Sequence, residues 1–123
     1  MNDFVYFFDS YAIIEIFNGN KNYEKYTHSI IFITKQNLFE VYYAFLRLKK
    51  EKIANYFLEK FYPFTIEFDS NDIIDAAKLK LKYKNRKLSM TDCLGYVIAK
   101  NRSIKFLTGD KEFIDFDNVE FVK

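Results

Sequence analysis

Short apolar runs alternate with longer stretches of helical periodicity along all 123 residues. Residues 4–8 are apolar and aromatic, as in a short buried strand. Asp9-Ser10 then precede Tyr11-Ala12-Ile13-Ile14-Glu15-Ile16-Phe17, which suits a helix stopped by Asn18-Gly19. A short helix is expected over residues 21–26, and Ile30-Ile31-Phe32-Ile33 reads as a second buried strand. From 35 to 50 the period is helical, with Asn37, Glu40, Ala44 and Arg47 spaced three and four apart as a polar stripe. Residues 52–61 read as a further helix, closed by Pro63. Residues 64–68 alternate like a strand, and Asp69-Ser70 opens a helix over about 70–84. Ser89 introduces a helix over 90–100, followed by a strand at 104–107 and a last strand near 119–122. Strands that alternate with helices predict an α/β fold, a mainly parallel sheet covered on both faces. Glycine and proline number three and one, so no linker, repeat or low-complexity tract divides the chain, and one domain over 1–123 is expected.

Composition narrows the class. Half the residues are hydrophobic and 29% are charged, as in globular proteins rather than disordered chains. No apolar stretch is long enough for a spanning helix, and Met1-Asn2-Asp3 does not begin a secretory leader. One cysteine forms no internal disulfide, so the expected setting is intracellular, in the cytoplasm. The 15 Phe and 10 Tyr, with abundant Asn, Lys and Ile, follow the codon bias of an AT-rich genome and are weak evidence for base stacking. A net charge of +2 does not announce a nucleic-acid binder. Two basic runs stand out: Lys78, Lys80, Lys82, Lys84, Arg86 and Lys87, and Arg47, Lys49, Lys50 and Lys52. They are either solvated helix faces or flanks that draw phosphates towards an acidic site.

The candidate chemistry lies in four acids. Asp9 ends the first strand and Asp110 follows the strand closed by Thr108-Gly109. In open parallel sheets, ligands bind beyond such strand ends. Each acid also has a structural role open to it: Asp9 as a helix N-cap, Asp110 as a turn residue, and Asp92 as the fourth residue of a Ser89-Met90-Thr91-Asp92 capping box. Glu40 sits among Leu38, Phe39, Val41, Tyr42 and Tyr43, either on the wet face or as a costly half-buried charge. With a single histidine, His28, a histidine-pair ribonuclease is excluded, and Cys93 reads as a core residue. Oxygen ligands favour Mg²⁺ or Mn²⁺ over zinc.

Taken in order, Phe8-Asp9-Ser10-Tyr11-Ala12-Ile13-Ile14, Asn37-Leu38-Phe39-Glu40, Leu88-Ser89-Met90-Thr91-Asp92-Cys93-Leu94 and Phe106-Leu107-Thr108-Gly109-Asp110-Lys111-Glu112-Phe113 resemble the PIN-domain family. The resemblance is to its VapC-type toxin ribonucleases in particular, and it covers essentially the whole chain. It implies a PIN-like three-layer α/β/α sandwich with Asp9, Glu40, Asp92 and Asp110 as catalytic metal ligands for Mg²⁺ or Mn²⁺. Ser10 and Thr108 match supporting hydroxyl residues. Many relatives carry Asp where this chain has Glu112, which stands as a supporting group or a ligand to a second metal. The resemblance further implies endonucleolytic cleavage of RNA, a homodimer and an antitoxin partner.

Competing functions are a PIN nuclease of RNA processing or quality control, and a catalytically inactive PIN-like interaction module. Phosphate-monoester chemistry of the haloacid-dehalogenase type also uses Asp after the first strand, but it wants a second acid two residues on, where Tyr11 stands.

Overall fold

Phe7 and Phe8 are neighbours in sequence that point to opposite faces of one sheet, and each meets a full apolar layer. The computed structural model describes residues 4–123, and the Met1-Asn2-Asp3 start discussed above lies outside the described residues. Strands β1 (Val5–Phe8), β2 (Ile30–Phe32), β3 (Lys105–Thr108) and β4 (Val119–Phe121) lie in the order β2-β1-β3-β4, and every neighbouring pair is parallel. Phe7 pairs with Phe106 and Phe8 with Leu107.

The pleat sorts these pairs into two cores. Phe8 and Leu107 face α1 (Ser10–Phe17), the 3₁₀ segment Lys21–His28, α2 (Lys35–Arg47) and α3 (Glu51–Phe61) through Ile13, Tyr23, Val41, Phe45 and Phe57. Phe7 and Phe106 face α4 (Ser70–Lys82) and α5 (Met90–Asn101) through Ala76, Tyr96 and Val97. The result is the expected α/β/α sandwich, held by buried aromatics that contribute about 1.5–3 kcal/mol each. Gly95 lets α5 lie close on the sheet, since a Cβ there would stand 2.8 Å from the Phe7 ring and 3.3 Å from Phe106.

Several boundaries differ from expectation. The segment at 64–68 is not a strand of the sheet. Tyr62–Phe64 forms a 3₁₀ turn containing Pro63, and Thr65 makes a single parallel bridge with Ile33. Two backbone hydrogen bonds, Ile33 N to Phe64 O and Ile66 N to Ile33 O, carry that contact. Its alternation instead reflects Ile66 and Phe68 packing against the second core while Glu67 is exposed.

The polar stripe on α2 is also split. Asn37 is buried with Leu38, Val41 and Phe45, and it closes a capping box with Thr34. The 78–87 basic run is mixed as well. Lys78, Lys80, Lys82, Lys84 and Lys87 are exposed, the Lys80 ammonium donating to the Leu88 carbonyl, whereas half-buried Arg86 forms a bidentate pair with Asp115 at 2.8 Å.

A buried charge anchors α4. Asp72 is 2% exposed, shares a capping box with Asp69 and accepts from Arg102 and Asn101. Among the described residues no helix is long and apolar enough to cross a membrane.

Candidate active site

Strand order reverses between β1 and β3, because β2 lies outside one and β4 outside the other. Helices leave in opposite directions from such a point, and a crevice opens beyond the strand ends. Asp9 and Asp110 stand there, directly after β1 and two residues after β3. Asp9 is 2% exposed. Its Oδ1 accepts from the Ser10 N–H at 2.9 Å, so it caps α1, and its Oδ2 accepts from the Thr108 hydroxyl at 2.7 Å. Capping and site membership are therefore the same geometry.

Thr108 ties the two strand ends together. Its hydroxyl donates to Asp9 and accepts the Asp110 N–H at 3.0 Å. Asp110 in turn caps the 3₁₀ turn Lys111–Phe113, its Oδ1 accepting from the Glu112 N–H. Between them Gly109 is required by close approach, since a Cβ there would run into the Val122 carbonyl oxygen and the Tyr11 ring. On the α2 side, Asn37 Nδ2 donates to Ser10 Oγ at 3.0 Å while its Oδ1 accepts from Thr34. This chain of buried hydrogen bonds ties the first turn of α2 to the start of α1, and Glu40 follows Asn37 one turn along α2.

Asp92 is in the capping box read from the sequence. Its carboxylate accepts the Ser89 N–H at 2.9 Å, and its own N–H donates to Ser89 Oγ at 3.0 Å. This puts an acid in the first turn of α5, where the helix dipole favours negative charge.

The four acids act on one another electrostatically. The Asp9 carboxyl is held well above its ordinary range by burial, then by the Asp92 charge, with Glu40 and Asp110 adding to it against the Thr108 hydrogen bond. Asp92 is pushed up to about 6, by burial first and then by Glu40 and Asp110, against its hydrogen bonds from Ser89. Carboxylates that raise one another in this way are relieved by a proton or by a bound cation.

Of the residues read from the sequence, Asp9, Ser10, Thr108 and Asp110 are thus joined by hydrogen bonds at two neighbouring strand ends, and Asp92 and Glu40 act on Asp9 through their charge. Glu112 is half-buried, and its charge acts on Arg86, whose guanidinium also donates to the Glu112 carbonyl. Cys93 is buried in the second core, and His28 is exposed at the end of its 3₁₀ segment. Asn37 and Gly109 are site-building residues that the periodicity missed. The Thr34-x-x-Asn37 spacing of a helix cap was the available signal for the first.

Among the described residues, no three Asp, Glu, His or Cys side chains form a ready-made metal cage. The donor set nonetheless fits a hard divalent ion in kind: carboxylate oxygens and buried like charge, with Ser10 and Thr108 hydroxyls holding the frame.

Fold and site define a class, the parallel α/β sandwich with an acidic centre at its strand-order reversal. Within that class the chain belongs to the PIN domain family, whose profile matches residues 6–119. A search of curated proteins finds no significant match. Similar solved structures include a toxin–antitoxin complex from Klebsiella pneumoniae, at 21% identity and TM-score 0.70, covering 94% of this chain and 95% of that one. VapBC2 from Rickettsia felis, bound to a DNA fragment from its promoter, is 18% identical with TM-score 0.71, covering 97% and 99%. The sarcin–ricin-loop-cleaving toxin VapC20 of Mycobacterium tuberculosis is 12% identical with TM-score 0.72, covering 94% and 98%. At these identities the likeness establishes a shared fold.

Proposed function

We propose that this chain is a Mg²⁺- or Mn²⁺-dependent endoribonuclease of the VapC type, the toxin of a type II toxin–antitoxin pair. One observation carries the reading: Asp9, almost wholly buried, keeps the company of three other carboxylates at the strand-order reversal. Buried like charges are costly, and a fold without use for them gains by replacing them. Asp9, Asp92 and Asp110 would hold the ion, with Glu40 joining directly or through water. The ion would polarise a phosphodiester and lower the pKa of a bound water.

The chain's own groups supply position. Thr108 orients the Asp9 carboxylate and, through the Asp110 N–H, the turn that presents Asp110. Ser10 and Asn37 lock α1 to α2 and set the approach of Glu40. The membership in the PIN family and the toxin structures sharing its fold support RNA as substrate, an acidic-site-blocking antitoxin as partner, and assembly as a homodimer in the cytoplasm.

Cleavage of end-labelled single-stranded RNA with Mn²⁺ or Mg²⁺, against EDTA and Asp9→Asn controls, tests the enzyme. Product that requires both the metal and Asp9 is expected, and cleavage that survives either control overturns it. Metal-dependent melting separates the enzyme from an interaction module. Saturation at 100 times the dissociation constant stabilises by about 2.7 kcal/mol, whereas a module gains nothing.

A further inference from the structure

Helix α2 presents Lys35, Phe39, Tyr43 and Arg47 at four-residue spacing, away from its buried Leu38, Val41 and Phe45. Residues so spaced form one stripe, about 18 Å from Lys35 to Arg47 at 1.5 Å per residue. Its rings are open to solvent: Phe39 is 78% exposed and Tyr43 57%. Exposed Leu46 extends the apolar part. Glu40 lies on the helix between the buried edge occupied by Asn37 and this stripe, so the stripe borders the acidic crevice.

Cations are paired with rings across the whole α2–α3 surface. Arg47 lies 5.9 Å from the Tyr43 ring centre, Lys35 5.8 Å from Tyr62 and Lys60 5.7 Å from Tyr56. Beyond Arg47, exposed Lys49, Lys50 and Lys52 extend the positive end around one exposed acid, Glu51, and Glu40 is the one acid within α2. By contrast, the groove of about 510 Å³ between α4 and α5 is lined mainly by aliphatic side chains such as Ile73, Ala77, Leu81 and Leu94. Aliphatic surface suits a protein, whereas open rings interleaved with cations suit a polyanion with stacking faces.

We infer that the outer stripe of α2 binds single-stranded RNA. Unpaired bases stack on Phe39 and Tyr43, and backbone phosphates pair with Lys35, Arg47 and the Lys49–Lys50–Lys52 end. The strand is thereby carried along α2 to Glu40 and the acidic crevice. The basic end holds phosphates that the four carboxylates would repel in the absence of a cation. This assignment rests on the ribonuclease reading and deepens it by naming where substrate outside the crevice is held.

The test measures binding apart from chemistry. A fluorescein-labelled mixed-sequence oligoribonucleotide is titrated with the intact chain in EDTA, and cleavage of the same RNA is followed separately with Mn²⁺. Phe39→Ala and Tyr43→Ala should each weaken binding by about 5- to 100-fold, the range for loss of one stacked base, with unchanged melting temperature. Phe39→Trp should bind at least as well as the parent, and Phe39→Leu should behave like the alanine variant. Arg47→Gln should lower the slope of log affinity against log salt by about one.

Unchanged affinity in both alanine variants overturns the assignment. So does full rescue by Phe39→Leu, which would mark apolar area for a protein partner, or self-association of the parent that Phe39→Ala abolishes. Absence of RNA binding by the parent also overturns it. Stripe-dependent binding without any metal-dependent cleavage would instead sink the nuclease reading while leaving the stripe as an RNA site. Cleavage that ignores the stripe variants, with unchanged binding, would do the reverse.

Discussion

Asp9 and Asp72 are equally buried, at 2% exposure each, and the fold treats them in opposite ways. Burial raises Asp72, but Arg102, Asn101 and the Asp69 N–H donate to it and hold its carboxyl below the ordinary range. That residue closes a capping box and clamps the start of α4 to the end of α5. Asp9 receives one backbone N–H and one hydroxyl, and the charges acting most strongly on it are carboxylates. The lesson is that burial alone does not mark a functional acid. What marks it is burial in which the compensating charge is left to an outside ligand.

Asp9→Asn breaks the comparison most sharply. Cleavage should be lost, while the metal-free protein melts higher, because a buried repulsion is removed and the amide retains hydrogen-bonding capacity. Calorimetry in EDTA beside an RNA cleavage assay checks both signs, and a lower melting point would refute the electrostatic account.

Thr108→Val keeps the shape but removes the hydroxyl shared by Asp9 and Asp110. A loss of about 10- to 100-fold in turnover is expected, the range for groups that orient metal ligands, with about 1 kcal/mol of stability.

Asp72→Asn should do the converse. Urea titration should show about 1–3 kcal/mol lost, with cleavage per folded molecule nearly unchanged. A large activity loss at full folding would remove the distinction between the two acids.

The pH dependence should run in opposite directions as well. Asp92 is raised from 3.8 to about 6 in the folded state, so the folded protein holds the proton longer than the unfolded one. Its contribution to metal-free stability is present below about pH 4 and is lost as pH rises towards and through 6. The depressed Asp72 contributes above about pH 4, and that contribution is lost on acidification. Melting curves of Asp92→Asn and Asp72→Asn between pH 3 and 8 should each flatten the corresponding limb. Saturating Mn²⁺ should reverse the Asp92 limb, because the ion binds the ionised carboxylates.

Much of this site was legible along the chain because its acids sit at punctuation points. Asp9 and Asp110 cap a helix and a turn, Asp92 closes the capping box begun by Ser89, and such signals are local. Their double role had looked like a choice between structure and function. In the fold the same carboxylates make the capping hydrogen bonds and act on one another through their charge. The 64–68 segment misled for the complementary reason, since alternation reports which side chains are buried and says nothing of whether a neighbour is available for a ladder.

Periodicity, capping and composition act over a few residues, so the alternation of strands and helices and the candidate acids could be read along the chain. The burial of Asn37 against Ser10, the bridge that Thr108 makes between two strand ends, and the need for glycine at 109 follow from the packed fold. Each of those depends on contacts between segments 13 to 99 residues apart. Such contacts are set by strand order and register, which no local pattern encodes.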